Sequence, residues 1–440
     1  MAGAREAVEN LLRAADIEID GARPCDIQVH DERFFPRVLA GGTLGFGETY
    51  MDGWWDCAAL DEMCCRAIRA RVEQRFSSSF ANLLALATSL LINRQTRARS
   101  REVGEKHYDL GNDFFQAMLD PWLQYSCALF HEGDDLAAAQ ERKLEMICQR
   151  PQLRPGDRLL DIGCGWGGLA KYAAQNYGCS VVGLTVSREQ QQFAQRWCSG
   201  LEVQIQLRDY REIEGRFDRA VSVGMVEHVG FKNYRTYLAA VFNSLGKEGR
   251  FLCQGICNPI SSWQLDPWIH FSELTSPVAL PPDESGRGNL LVEDVFNLGP
   301  HYDPTLMAWE ENFRRPWPRF APRYDERFRR MWGFYLLSCA GAFRARSLQV
   351  YSILFAREGT LARDSRSRPG AQNSWSQPRN EEAASVRYRG ELVDFKKETT
   401  PPKSRHKGGR DAHPVREIRS PITDHSAQLP WAFGRSLLSS

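Results

Sequence analysis

One stretch limits the folds open to this chain more than any other: Leu159-Leu-Asp-Ile-Gly-Cys-Gly-Trp-Gly-Gly-Leu-Ala170. A mostly apolar run over 158–162 gives way to glycines at 163, 165, 167 and 168, and Leu169, Ala170, Tyr172 and Ala173 then recur at helical spacing. The pattern predicts a strand, a tight turn and a helix start, the opening unit of a doubly wound α/β sheet. Glycines at such a turn permit positive φ and let a ligand approach the backbone.

The spacing is G-x-G-x-G, shorter than a dinucleotide fingerprint, and Asp161 stands before it. A carboxylate there repels a pyrophosphate but suits a cationic or amino-acid-bearing ligand. S-adenosylmethionine (SAM) fits that description better than NAD. A glycine turn that binds nothing is the alternative, and the neighbouring elements weigh against it. Further strands are predicted over 180–185, 203–207, 218–223 and 250–253, with a helix over 234–245 and an N-cap at Ser187. Asp161, Thr185, Asp209 and Glu227 fall at or just beyond strand ends, where ligand groups gather in an open α/β sheet.

Composition narrows the class. With 42% apolar and 25% charged residues in 440, the chain reads as a soluble globular protein. Net charge is +1, so no global field argues for nucleic acid. Residues 357–440 carry sixteen Lys/Arg against ten Asp/Glu, which leaves 40 against 45 in residues 1–356. That tail is polar, Arg/Ser/Pro-rich and expected to be disordered. Twelve cysteines form no regular framework, and the lone C-x3-C at Cys253 and Cys257 lacks a second pair or nearby histidine, so no metal site is expected. Reduced thiols in the cytoplasm are the simpler account. The first twenty residues have acids throughout and do not read as a signal peptide.

Four regions are expected. Residues 1–75 read as a small α/β module, with glycine loops at Gly41-Gly42 and Gly45-Phe-Gly47 and aromatic packing over 50–55. Residues 76–104 form a linker in which the apolar run 80–92 is followed by a basic flank over 93–101. It is too short to span a bilayer. It suits either a helix lying on an anionic membrane or a buried helix with a solvated end. The catalytic region is 105–357, with irregular chain over 258–300, helices over 302–309 and 328–346, and a closing strand over 349–355. Residues 358–440 are the tail.

The chain resembles the cyclopropane-fatty-acyl-phospholipid synthases, relatives of the mycolic acid cyclopropane synthases, over roughly residues 5–357. The strings that carry the resemblance are GGTLGFGETYMDGWW, HYDLGNDFF, QYSC, LLDIGCGWGGLA, GLTVSREQQ, SVGMVEHVG, YDPTLMAW and CAGAFRAR. It implies a Rossmann-like SAM-dependent methyltransferase sheet and a methylene transfer to the cis double bond of a phospholipid acyl chain. The protein would then sit peripherally on the cytoplasmic face of the membrane, and a homodimer is admissible. It also implies that a bound bicarbonate is the base, held by Glu227, Tyr302, position 254 and the surroundings of Cys127 and Ile256. Tyr125, Ser126, Gly163, Gly165, Gly167, Thr185, Gln190 and Tyr210 would line the SAM site beside Asp161 and Asp209. His228 is expected to pack or cap rather than titrate.

Two departures from the family stand out. Its histidine falls on Gln254, which can hydrogen-bond an anion but cannot carry charge near pH 7. A buried anion deprived of one hydrogen bond is destabilised by roughly 1–3 kcal/mol. Residues 270–289 also depart from the family's aromatic-basic segment. These departures keep two rivals in view: an alkene C-methyltransferase giving a branched product, and an inactive SAM- or lipid-binding relative.

Overall fold

The computed structural model describes residues 2–72, 111–230, 233–258, 269–270, 289–358 and 360. The expected linker helix with its basic flank, nearly all of the departing segment 270–289 and the tail beyond 360 lie outside the described residues.

The sheet is built as the glycine stretch predicts. After two short N-terminal strands, β1 (Gln28–Val29) and β2 (Trp55–Asp56), its members are β3 (Arg158–Ile162), β4 (Ser180–Thr185), β5 (Val203–Leu207), β6 (Phe217–Val223), β7 (Leu245–Asn258), β8 (Ile269–His270), β9 (Leu290–Asn297) and β10 (Gln349–Arg357). Their order is β5-β4-β3-β6-β7-β10-β9, with β8 pairing the far end of β7. Strands β3 to β7 run parallel, and β10 is antiparallel to both β7 and β9. Central β3 is buried from Leu159 to Ile162, the pattern of a strand covered on both faces. Order reverses at β3, where β4 lies to one side and β6 to the other, and that is where such sheets bind ligands.

Two expectations change here. The fifth strand runs for 14 residues, well past 253. Residues 290–297, expected within irregular chain, form β9, because β10 offers a partner over its whole length. The acids Glu293 and Asp294 hide that strand in the sequence; each pairs with an arginine, Arg250 and Arg150.

The helices, in chain order, are α1 (Ala2–Arg13), α2 (Phe34–Met51), α3 (Leu60–Arg69), α4 (Asn112–Met118), α5 (Leu136–Gln149), α6 (Gly168–Tyr177), α7 (Arg188–Trp197), α8 (Val226–Val229), α9 (Tyr234–Ser244), α10 (Gly299–Arg314), α11 (Trp317–Phe320) and α12 (Glu326–Arg344). Several starts are capped by the side chains that the sequence supplies. Asp135 accepts from Ala138 N, Ser187 from Gln190 N and Asp325 from Phe328 N.

The N-terminal module packs its own apolar cluster, including Phe34, Phe35, Trp55, Leu60 and Met63, and closes it with Phe334 of α12. The aromatic stretch 50–55 is packing, as expected: Tyr50 and Trp55 both lie against Phe334. The glycine loops are not loops. Gly41 to Gly47 belong to α2, which kinks at Gly42 (φ 56°, ψ −137°). Gly45 is needed for closeness, since a Cβ there would stand 2.5 Å from the carbonyl oxygen of Arg37. Arg344 of α12 joins the module to α10 by pairing with Asp61 and Asp303.

Candidate active site

The glycine loop lies at the carboxyl end of β3. Gly163, Gly165 and Gly167 hold φ of 84°, 55° and 86°. Gly163 N and Cys164 N both donate to Leu184 O at 2.9 Å, which pins the loop to β4. Beyond it, Gly168 opens α6 with no room for a side chain, since its Cβ would stand 1.8 Å from Trp122 O. The strip 120–127, which carries Tyr125, Ser126 and Cys127, therefore lies directly against the loop.

Asp161 is 2% exposed and its Oδ2 has no hydrogen-bond partner. Burial raises its carboxyl to about 7, and the Lys143 ammonium draws it back only in part. Desolvation wins by an amount on the order of 4 kcal/mol between the two protonation states. An unpartnered buried carboxylate beside a loop of backbone N–H groups fits the amino group of an amino-acid-bearing ligand. SAM carries one, so these residues fit it.

The other predicted cofactor residues gather on the β4 and β5 side. Thr185, the last residue of β4, donates through Oγ1 to Gln190 Oε1 at 3.0 Å and accepts from Ser187 N. The pair shapes the turn into α7. Asp209 caps the short turn over 210–212 by accepting from Arg211 N, and it also pairs with the Arg211 guanidinium. Tyr210 is buried beneath Arg211, its ring edge-on to Tyr237.

The predicted base-holding residues meet beyond β6 and β7. Glu227, on α8, accepts Ile256 N at 2.8 Å through Oε1, while Oε2 is buried and unpartnered. Burial pushes its carboxyl up to about 7 against that backbone hydrogen bond. Gln254 is 2% exposed and its Oε1 also lacks a partner. Tyr302, on α10, packs on Phe343 (4.6 Å between centroids) and edge-on to Trp309, which lies 5.0 Å from Tyr125. Burial pushes its phenol well up, and Cys127, Tyr125 and Glu227 add to the effect. Cys127 is 1% exposed, contacts the carbonyls of Ala128 and Leu298, and has its thiol raised by burial. Its thiolate is suppressed, which suits a positional role rather than a nucleophile. His228, beside Glu227, is exposed.

Two residues of weight escape a reading of the sequence. Lys143 and Gln140, both on α5, are fully buried and hold the strip 124–126 by side-chain hydrogen bonds. A signal is present: they share the helical stripe of Leu136, Ala139, Leu144 and Ile147, so polar side chains stand where apolar ones are expected.

Residues 95–353 match the family described as mycolic acid cyclopropane synthetase. The cyclopropane-fatty-acyl-phospholipid synthase of Escherichia coli (strain K12) is 50% identical over 350 residues, 79% of this chain and 92% of that protein. The tuberculostearic acid methyltransferase of Mycobacterium tuberculosis is 32% identical over 349 residues, 73% of this chain and 81% of that protein. Among solved structures, the cyclopropane synthase MmaA2 from Mycobacterium tuberculosis is similar with a TM-score of 0.53 and 27% identity, covering 58% of this chain and 98% of that one. The mycolic acid cyclopropane synthase CmaA1, complexed with SAH and CTAB, gives the same TM-score, 0.53, at 26% identity over 58% of this chain and 98% of that one. This chain therefore belongs to the cyclopropane-fatty-acyl-phospholipid synthase family of SAM-dependent methyltransferases.

Proposed function

We propose that this protein adds a methylene from SAM across the cis double bond of unsaturated acyl chains in membrane phospholipids, forming cyclopropane fatty acids. The observation that carries the reading is Glu227, a carboxylate fixed at one oxygen by Ile256 N and left buried and unpartnered at the other. A structural acid would have both oxygens satisfied.

Bound SAM supplies a strongly electrophilic methyl, which a weak nucleophile such as an alkene needs held in line with it. Asp161 and the glycine loop hold the amino-acid end. Tyr125, Trp309, Tyr302 and Phe343 pack against one another, an aromatic cluster suited to exclude water and to stabilise a cation on the acyl chain. Ring closure then requires a proton to leave the added carbon. Bicarbonate, the base implied by the family resemblance, carries one hydroxyl, which suits the buried and unpartnered Glu227 Oε2. Glu227 Oε2 would accept its hydroxyl proton, with the Gln254 amide and the Tyr302 hydroxyl as donors, while Ile256 N is already engaged by Glu227. A substrate embedded in a bilayer calls for peripheral attachment at the cytoplasmic membrane face. Among the described residues no helix is long and apolar enough to cross a membrane.

Gln254 favours a second reading. A buried neutral amide holds an anion less firmly than a charged imidazole. With the base weakened, the cation would lose a proton without closing the ring, from a neighbouring chain carbon or from the added methyl, and leave a branched or exomethylene acyl chain that keeps one double bond. Mass spectrometry and NMR of lipids separate the readings after purified protein meets SAM and vesicles of cis-monounsaturated phospholipid. A gain of one methylene with ring protons supports the synthase, and the same gain with a branched or exomethylene product supports the methyltransferase. No gain, with SAM binding shown separately, sinks both and leaves the inactive relative.

A further inference from the structure

The site contains a buried cation to which the reaction above gives no role. Lys143 is 0% exposed, and its Nζ donates to Gln124 Oε1 at 2.6 Å and to Ser126 Oγ at 3.0 Å. An ammonium taken out of water costs several kcal/mol unless acceptors and opposite charge surround it. Its setting supplies both in part: burial still lowers the ammonium to about 8, against the pull of Asp120, Cys127 and Asp161, so it is charged at pH 7. Gln124 is itself oriented by donating to Trp122 O, and Asp120 ties the same strip by accepting from Trp122 N and Gln124 N. Gln140, one turn earlier on α5, donates to Ser126 O at 2.9 Å and more loosely to Gln124 O at 3.3 Å. The strip 120–127 has no helix or strand of its own, so these side chains set its path past the glycine loop.

The acidic groups facing Lys143 are Asp120 and Cys127 from the strip and Asp161 from β3. Around Asp161 stand Lys143 and Cys148 on α5, Cys164 in the glycine loop and Cys198 at the end of α7. Burial raises those three thiols, so they stay protonated, and Lys143 is the charge that acts on Asp161 among the described residues.

We propose that Lys143 is a positioning residue for the cofactor: it holds the 124–126 strip against the glycine loop and sets a positive charge beside Asp161, the carboxylate that meets the amino group of SAM. This rests on the SAM reading of Asp161. Burial alone drives Asp161 toward its neutral form, and Lys143 opposes it. Removing the ammonium therefore raises Asp161 further and empties the site of the charge that the ligand needs.

The test is calorimetric titration of the full chain with S-adenosylhomocysteine between pH 6 and pH 9. Wild-type protein should bind, more weakly as pH falls through about 7, and Asp161→Asn should flatten that dependence. No binding by the wild type at any pH overturns the SAM reading, and this proposal with it. Lys143→Met should bind about fivefold more weakly at pH 7, with the midpoint moved up by about one pH unit. A lysine that only supports the fold would weaken binding equally at every pH. An unmoved midpoint, or unchanged affinity, therefore overturns the proposal while leaving the SAM reading intact. Should Lys143→Met not fold, Gln124→Glu sets a carboxylate against Nζ and partly cancels its charge. Its midpoint should also rise, and one that stays put overturns the proposal.

Discussion

Asp26 in the N-terminal module and Glu227 beyond β6 are both carboxylates withdrawn from solvent, and their protonation is driven in opposite directions. Asp26 accepts four hydrogen bonds, from Arg23 Nε, NH2 and N and from Glu18 N, at 2.9–3.1 Å. The Arg23 guanidinium holds it down at about 2, against its burial. Glu227 accepts from Ile256 N at one oxygen, has no partner at the other, and is taken by burial to about 7. Asp161 resembles Glu227, with one oxygen unpartnered and a carboxyl at about 7. Burial alone, then, does not mark a functional acid. What sets Glu227 and Asp161 apart from Asp26 is burial with a lone pair left over, a setting in which a ligand or a water can complete the shell.

Removing Glu227 should test this contrast most sharply. Glu227→Gln is expected to lower product formation by about 10²–10⁴-fold while leaving binding of S-adenosylhomocysteine intact. Because the folded-state carboxyl is raised above its usual 4.5, its effect on stability is favourable below that value and is lost as pH rises through about 7. The variant should therefore be no less stable than wild type at pH 8. Full activity in a lipid assay, or a lower melting temperature at pH 8, would mean that Glu227 is a structural acid like Asp26.

Asp26→Asn should do the reverse. It leaves Arg23 without its main partner and should lose about 2 kcal/mol in urea unfolding, with activity per folded molecule unchanged. A loss of turnover larger than the unfolded fraction explains would tie the module to the chemistry.

Acid separates the two kinds of carboxylate without mutation. Activity should fall as pH drops through about 7, where Glu227 and Asp161 take up protons. The slope is at most about tenfold per pH unit for each group. Stability should hold over that range. Asp26, held down, stabilises the fold above 3.8 and loses that contribution as pH falls through about 2. His301, kept neutral by burial, adds stability above 6.5 that is lost as pH falls through about 4. Circular dichroism that collapses together with activity at pH 6.5 would refute the separation.

A more modest change is expected at Gln254. Gln254→His should raise the rate by about fivefold, the equivalent of about 1 kcal/mol in one hydrogen bond to the anion. The gain should come with a new dependence on pH near the histidine range. A slower variant would show that the amide suits this site better than the ring.

Much of the fold is legible in the sequence. Strands β3 and β4 fall where the apolar runs place them, because a central parallel strand is buried on both faces and shows as a nearly unbroken run. Ser187 caps its helix as its position implies. The glycines at 163, 165 and 167 take the positive φ that their spacing suggests. What stays hidden depends on partners distant in sequence. Strand β9 reads as irregular chain because its acids pair with Arg150 and Arg250 on other elements. Gly45 and Gly47 read as a loop because the closeness of Gly45 to Arg37 O exists only once the helix has formed.

The order of the elements, the glycine loop at the end of β3 and the family to which the chain belongs follow from the string of residues alone. All three rest on periodicity, turn chemistry and motif, which are local. Which polar groups are satisfied is settled only when the chain has packed. Asp26, Asp161 and Glu227 look alike as letters. Whether a guanidinium, an ammonium or one amide faces each of them depends on side chains brought together by the fold. Desolvation and hydrogen bonding act over a few ångströms in space and take no account of distance along the chain.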